Sequence, residues 1–182
     1  MKVEFKGSFS ATSRDLLEAR KLLIGVWAEA SEAYCSRYWA FEASGKKLPL
    51  GVQPFLNKAL DQRFHDANWF GSDGRYTKSK TWFRVTFRHQ MSLGSDFIDG
   101  LLLAEKEGIE QIVIAAPSHD FAKLITPRDA NSIVTFEKLE AYFASAKQLF
   151  RINIAIARLS AASTARIEVD ELIRFRHLSL DK

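Results

Sequence analysis

The run Gln111-Ile112-Val113-Ile114-Ala115-Ala116 constrains this chain most, because it is apolar at odd and even positions alike. Successive side chains of a strand point to opposite faces, so such a strand has to be covered on both sides. That requires a sheet with helices above and below. The pattern just before it reads as a helix through Glu107, with Ser95 as N-cap, Asp96 and Asp99 in the first turn where the macrodipole favours acids, and Gly108 as the stop. A strand, helix, strand order implies a right-handed crossover and parallel pairing. The expected fold class is therefore α/β, a mixed central sheet flanked by helices.

Other elements extend this frame. Val3-Glu4-Phe5 alternates like a short strand. Thr12 and Asp15 have capping-box spacing, and Leu16, Leu23, Trp27, Tyr34, Tyr38 and Phe41 keep to one stripe of a long N-terminal helix ending at Gly45. Pro54 opens a second helix, with Leu56, Leu60 and Phe64 on its inner face, ending near Asn68. Trp69-Phe70 runs into the turn-forming Gly71-Ser72-Asp73-Gly74, and Thr81 to His89 reads as the return strand. Its alternation places Phe83, Val85 and Phe87 on a core face and Trp82, Arg84, Thr86 and Arg88 on a solvent-facing ladder. Residues 117–131 read as irregular. A further helix carries Leu139, Tyr142, Phe143, Leu149 and Phe150, and Ile152 to Ile156 forms another strand; the chain from Ser160 onward stays unassigned.

With 182 residues, 47% hydrophobic, including 14 Phe and 4 Trp, the chain has material for one core, so residues 1–182 are expected to form a single domain. Cys35 is the only cysteine and sits in an amphipathic helical pattern, which fits an inert buried thiol in a reducing, cytoplasmic protein. No apolar run approaches the ~20 residues of a membrane span, and the charged Met1-Lys2-Val3-Glu4-Phe5-Lys6 does not fit a signal peptide. The chain has neither a Walker nor a dinucleotide-binding glycine motif. His65, His89, His119 and His177 lack metal-ligand spacing. Net charge is only +4, but its distribution is uneven. From Gly74 to Ser95 there is no acid, while Arg75, Lys78, Lys80, Arg84 and Arg88 contribute five positive charges. Arg84 and Arg88 lie four residues apart, ~13 Å along a strand, near the spacing of two phosphates on one nucleic-acid strand.

The order of helix (Pro54 to Asp66), acid-bearing hairpin (Asp73), strand (Thr81 to His89), helix (Asp96 to Glu107) and strand (Gln111 to Ala116) resembles the core of the PD-(D/E)xK nuclease superfamily. More narrowly it is similar to BglII-type restriction endonucleases. The similarity rests on Gln53-Pro54-Phe55-Leu56-Asn57-Lys58-Ala59-Leu60 ahead of Trp69, on Trp82-Phe83-Arg84-Val85-Thr86-Phe87, and on Gly108 leading into Gln111 to Ile114. It implies a restriction-endonuclease-like fold with a core over residues 53–158 and a helical N-terminal extension over 1–52.

The resemblance also implies double-stranded DNA as partner, a role in defence or restriction, and a homodimer or partner subunit. In such nucleases a strand presents a carboxylate and, two residues on, a Lys or Gln, the carboxylate sharing Mg²⁺ with an upstream Asp. Those two positions fall on Arg84 and Thr86, and an arginine cannot ligate a cation. Two possibilities stay open. In a divergent endonuclease, Asp73 with Asp96 or Asp99 on the next helix would hold Mg²⁺. In a degenerate homologue, Arg75, Lys78, Lys80, Arg84, Thr86 and Arg88 would contact DNA without cleavage. A reading from another class is an interaction module or accessory subunit anchored by Tyr34, Tyr38, Trp39 and Phe41.

Overall fold

In the computed structural model the described residues are 1–8, 14–44, 51–146 and 151–161, the side chains of 38–44 and 146 excepted. Six strands form one mixed sheet: β1 Lys2–Gly7, β2 Phe70–Ser72, β3 Arg75–Lys78, β4 Thr81–Val85, β5 Gln111–Pro117 and β6 Asn153–Ser160, in the order β1-β6-β5-β4-β3-β2. The two ladders flanking β5 are parallel, to β4 and to β6, and the other three are antiparallel. All seven residues of β5 are buried, as a strand apolar on both faces requires.

Helices cover both sides. On one face α1 (Arg14–Ser44), α2 (Gln53–Asp66) and α4 (His119–Ile125) close over Phe83, Val85, Val113 and Ala115. On the other, α3 (Leu93–Glu107) and α5 (Phe136–Ala146) close over Trp82, Ile112, Ile114 and Ile156. β1 pairs along β6, and Leu16, Leu23, Trp27 and Tyr34 of α1 share one apolar cluster with Leu56, Phe64 and Phe83. The described part of residues 1–52 is thus built into the sheet and the layer above it.

Several elements depart from the expectations in their bounds. Between the hairpin turn and β4 lies the short strand β3, so β2, β3 and β4 form a meander in place of a single hairpin. Four residues, mostly polar, are too few to show a period. β4 stops at Val85 and does not run on to His89, because the chain leaves β5: Val134 N–H donates to Arg88 C=O, and His89 bridges Ile133. The next helix begins at Leu93 after the 3₁₀ turn Gln90–Ser92, so Ser95 lies inside it and is not its cap. Residues 119–125 form α4, where an irregular stretch was expected; Ser118 caps it by accepting from Phe121 N–H, and about two turns carry too few positions to reveal helical spacing. Gly108 ends α3 in the left-handed conformation, φ +69°, as expected. The proposed stops and anchors at Gly45, Tyr38, Trp39, Phe41, Leu149 and Phe150 lie outside the described residues or side chains.

Candidate functional site

The site forms where the β2–β3 turn, β4 and the start of α3 meet. Asp73 and Gly74 both take positive φ, +53° and +76°, as a two-residue hairpin turn demands. The turn folds onto β4: Val85 N–H donates to Gly74 C=O at 2.7 Å, and a Cβ on Gly74 would meet the Val85 carbonyl oxygen at 2.3 Å. Only glycine permits that approach, and it aims the Asp73 carbonyl at Arg84.

α3 brings the carboxylate. Its buried positions are Leu93, Asp96, Phe97 and Gly100, the i, i+3, i+4, i+7 stripe of an amphipathic helix, and Asp96 occupies one of them. Gly100 lets α3 come down on Trp82, whose ring would lie 2.8 Å from an added Cβ. The carboxylate is thereby pressed into the sheet and is fully buried.

Arg84 fills the space between turn and helix. Its Nη1 donates to the Asp73 carbonyl at 2.7 Å and its Nε to Asp96 Oδ1 at 3.1 Å. Arg88 Nη1 donates to the same Oδ1 at 3.2 Å from a side chain 47% exposed. Arg75 stands 4.0 Å from Asp99, both partly exposed. Asp96 Oδ2 has no hydrogen-bond partner among the described residues. Burial, and after it the neighbouring Arg88 and Arg75, press the Arg84 guanidinium below its ordinary value, and Asp96 opposes them. An arginine stays protonated even so.

These placements correct the expected basic ladder. Arg84 is 2% exposed and Thr86 is fully buried, so neither presents to a DNA backbone; α3 covers the face that the alternation marked as wet. The Thr86 hydroxyl is turned inward as an acceptor for Arg88 N–H. Because β4 ends before Arg88, Arg84 and Arg88 converge on one carboxylate oxygen and are not spaced along a strand. Lys78 lies on the opposite face, where it donates to Glu18 at 2.7 Å and to the Ala67 carbonyl. Lys80 pairs with Glu110. Of the six expected DNA contacts, Arg75 and Arg88 are the ones gathered at the rim of this site. Tyr34, expected as an interface anchor, is fully buried against Phe55 and presents no surface.

The donor set does not suit Mg²⁺. Among the described residues no group of three or more His, Cys, Asp or Glu side chains is placed to hold a metal ion. Asp96 is engaged by two arginines and Asp99 faces a third, while an octahedral cation needs oxygen ligands free of competing positive charge. The burial of Asp96 was missed because the helix was expected to start after Ser95; only its start at Leu93 puts Asp96 on one inward stripe with Leu93, Phe97 and Gly100.

The architecture around this site is a restriction-endonuclease-like fold. Among solved structures the chain is similar to restriction endonuclease BglII complexed with a DNA 16-mer, with a TM-score of 0.57 and 15% sequence identity over 89% of this chain and 78% of that one. No protein-family model and no curated protein matches the sequence.

Proposed function

We propose that this chain is a PD-(D/E)xK-type protein that has kept a DNA-facing edge and lost metal-dependent cleavage, acting in the cytoplasm as a defence or restriction component. The observation that carries the reading is Arg88. Its guanidinium reaches solvent yet is held by a buried carboxylate, and a cation fixed in advance is suited to a phosphate, since less side-chain freedom is lost on contact. Arg75, 52% exposed, extends the same rim. The nature of the solved structure it resembles, an endonuclease bound to DNA, supports the choice of partner.

The test is fluorescence anisotropy with random duplex DNA over a salt series in EDTA. Binding should weaken with a slope of about −0.9 per neutralised phosphate, and Arg88→Ala should reduce that slope by about one contact. No DNA should be cut with Mg²⁺ or Mn²⁺. Absence of binding at low salt would overturn the reading.

A second reading, an interaction module or homodimer, is favoured by α3. Its outer side carries Ile98 and Leu102, 57% and 59% exposed, with Met91 preceding it at 86%. Charged replacement of Ile98 and Leu102 should then shift the mass measured by light scattering and leave DNA affinity unchanged.

A further inference from the structure

We infer that Arg84 and Asp96 are positioning residues that hold the Arg88 guanidinium in place for a phosphate of the duplex, an inference that rests on the DNA reading above. Neither presents to DNA itself, since Arg84 is 2% exposed and Asp96 is fully buried. They act through Arg88, which is fixed at three points. Its N–H donates to Thr86 Oγ1 at 3.4 Å, its C=O accepts from Val134 N–H at 2.8 Å, and its Nη1 donates to Asp96 Oδ1 at 3.2 Å. Main chain and head group are thus held separately. Asp96 is oriented in turn, through the same oxygen, by Arg84, whose own Nη1 is anchored on the Asp73 carbonyl.

Two features suit this hold to an anion. Among the described residues Asp96 is the one hydrogen-bond partner of the Arg88 guanidinium, and it takes Nη1. The edge formed by Nε and Nη2, which can grip a phosphate through two parallel bonds, is left free on a side chain 47% exposed. The second feature is charge. An arginine paired with a carboxylate of its own brings no net charge to a phosphate. Here two guanidinium groups share one carboxylate, and the buried one, Arg84, offsets it, so the charge of Arg88 stays uncompensated.

The deciding variant is Arg84→Leu/Asp96→Leu, which removes one charge of each sign, leaves the net charge as it was and takes away the holder of Arg88. Fluorescence anisotropy with random duplex DNA over the salt series should find it binding about five-fold more weakly, because Arg88 now loses rotamer freedom on contact, at an unchanged salt slope, because the same phosphates are met. Adding the two changes to Arg88→Ala should weaken binding no further. Equal affinity in wild type and double variant overturns the inference, and so does a loss that persists in the Arg88→Ala background. A slope reduced by about one contact overturns it as well, since Arg84 would then meet a phosphate itself. Far-ultraviolet circular dichroism checks that the variant is folded. If it is not, the wild type decides: nitrogen-15 side-chain spectra should resolve Nη1 from Nη2 for a guanidinium whose signals Arg88→Ala removes, and one averaged signal overturns the inference. No binding by the wild type is the separate outcome that overturns the DNA reading and this inference together.

Discussion

β4 has two faces that are equally dry and are closed by different chemistry. Phe83 and Val85 lie under α1 and α2, where Phe64 stacks on Tyr76 at 4.1 Å and meets Trp69 and Phe83 edge-on or tilted. Trp82 and Arg84 lie under α3, where the apolar layer is interrupted by a guanidinium and a carboxylate. Phe83 is 0% exposed and Arg84 2%. Alternation along a strand thus reports that there are two environments without saying which one water reaches. The first face is held by area and shape, and the Tyr76 hydroxyl within it donates to Asp61 at 2.7 Å. Burial and that carboxylate together push the phenol far above its ordinary value, so it stays neutral. The second face is held by charges that must be paired.

The largest effect should come from unpairing them. Asp96→Leu leaves Arg84 buried without its carboxylate and should cost about 4 kcal/mol in urea unfolding, whereas Arg84→Leu/Asp96→Leu should recover most of that loss, since an apolar pair of similar volume needs no desolvated charge. Equal losses in single and double variants would break the comparison, because both faces would then depend on volume alone. On the aromatic face, Phe64→Ala should cost ~3 kcal/mol by loss of burial and the cavity left behind, with no dependence on salt. Gly100→Ala should cost about 2 kcal/mol, because the new methyl meets the buried Trp82 ring, and near-ultraviolet circular dichroism should register the shifted indole.

The smallest effect concerns the rim of the second face. Burial pulls the Glu137 carboxyl upward, but hydrogen bonds from Arg158, its own N–H and Thr135 outweigh it and hold the group below its ordinary value. A carboxyl lowered by folding contributes stability above its unfolded value of about 4.3 and loses it as pH falls through the folded value. Since the Glu137 side chain is 44% exposed, the difference between wild type and Glu137→Gln should be under ~1 kcal/mol at neutral pH and vanish in acid.

By itself the sequence determined the sheet and its cover. A run apolar on both faces admits only an interior strand, Asp73-Gly74 favours a tight turn, and the Leu56, Leu60, Phe64 spacing admits only a helix packed on one side. These are local rules, satisfied within a few residues. Resemblance to restriction endonucleases was likewise legible in element order, and the fold agrees with it. What tertiary structure alone decided was the fate of the charged residues. Whether Arg84 meets phosphate or Asp96 depends on where α3 crosses the sheet, and that is set by Gly100 against Trp82, residues eighteen positions apart in sequence. The same five basic residues that read as one patch were divided among a buried pair, a rim and two separate surface contacts, because strand alternation and two turns send neighbours in sequence to opposite sides of the sheet.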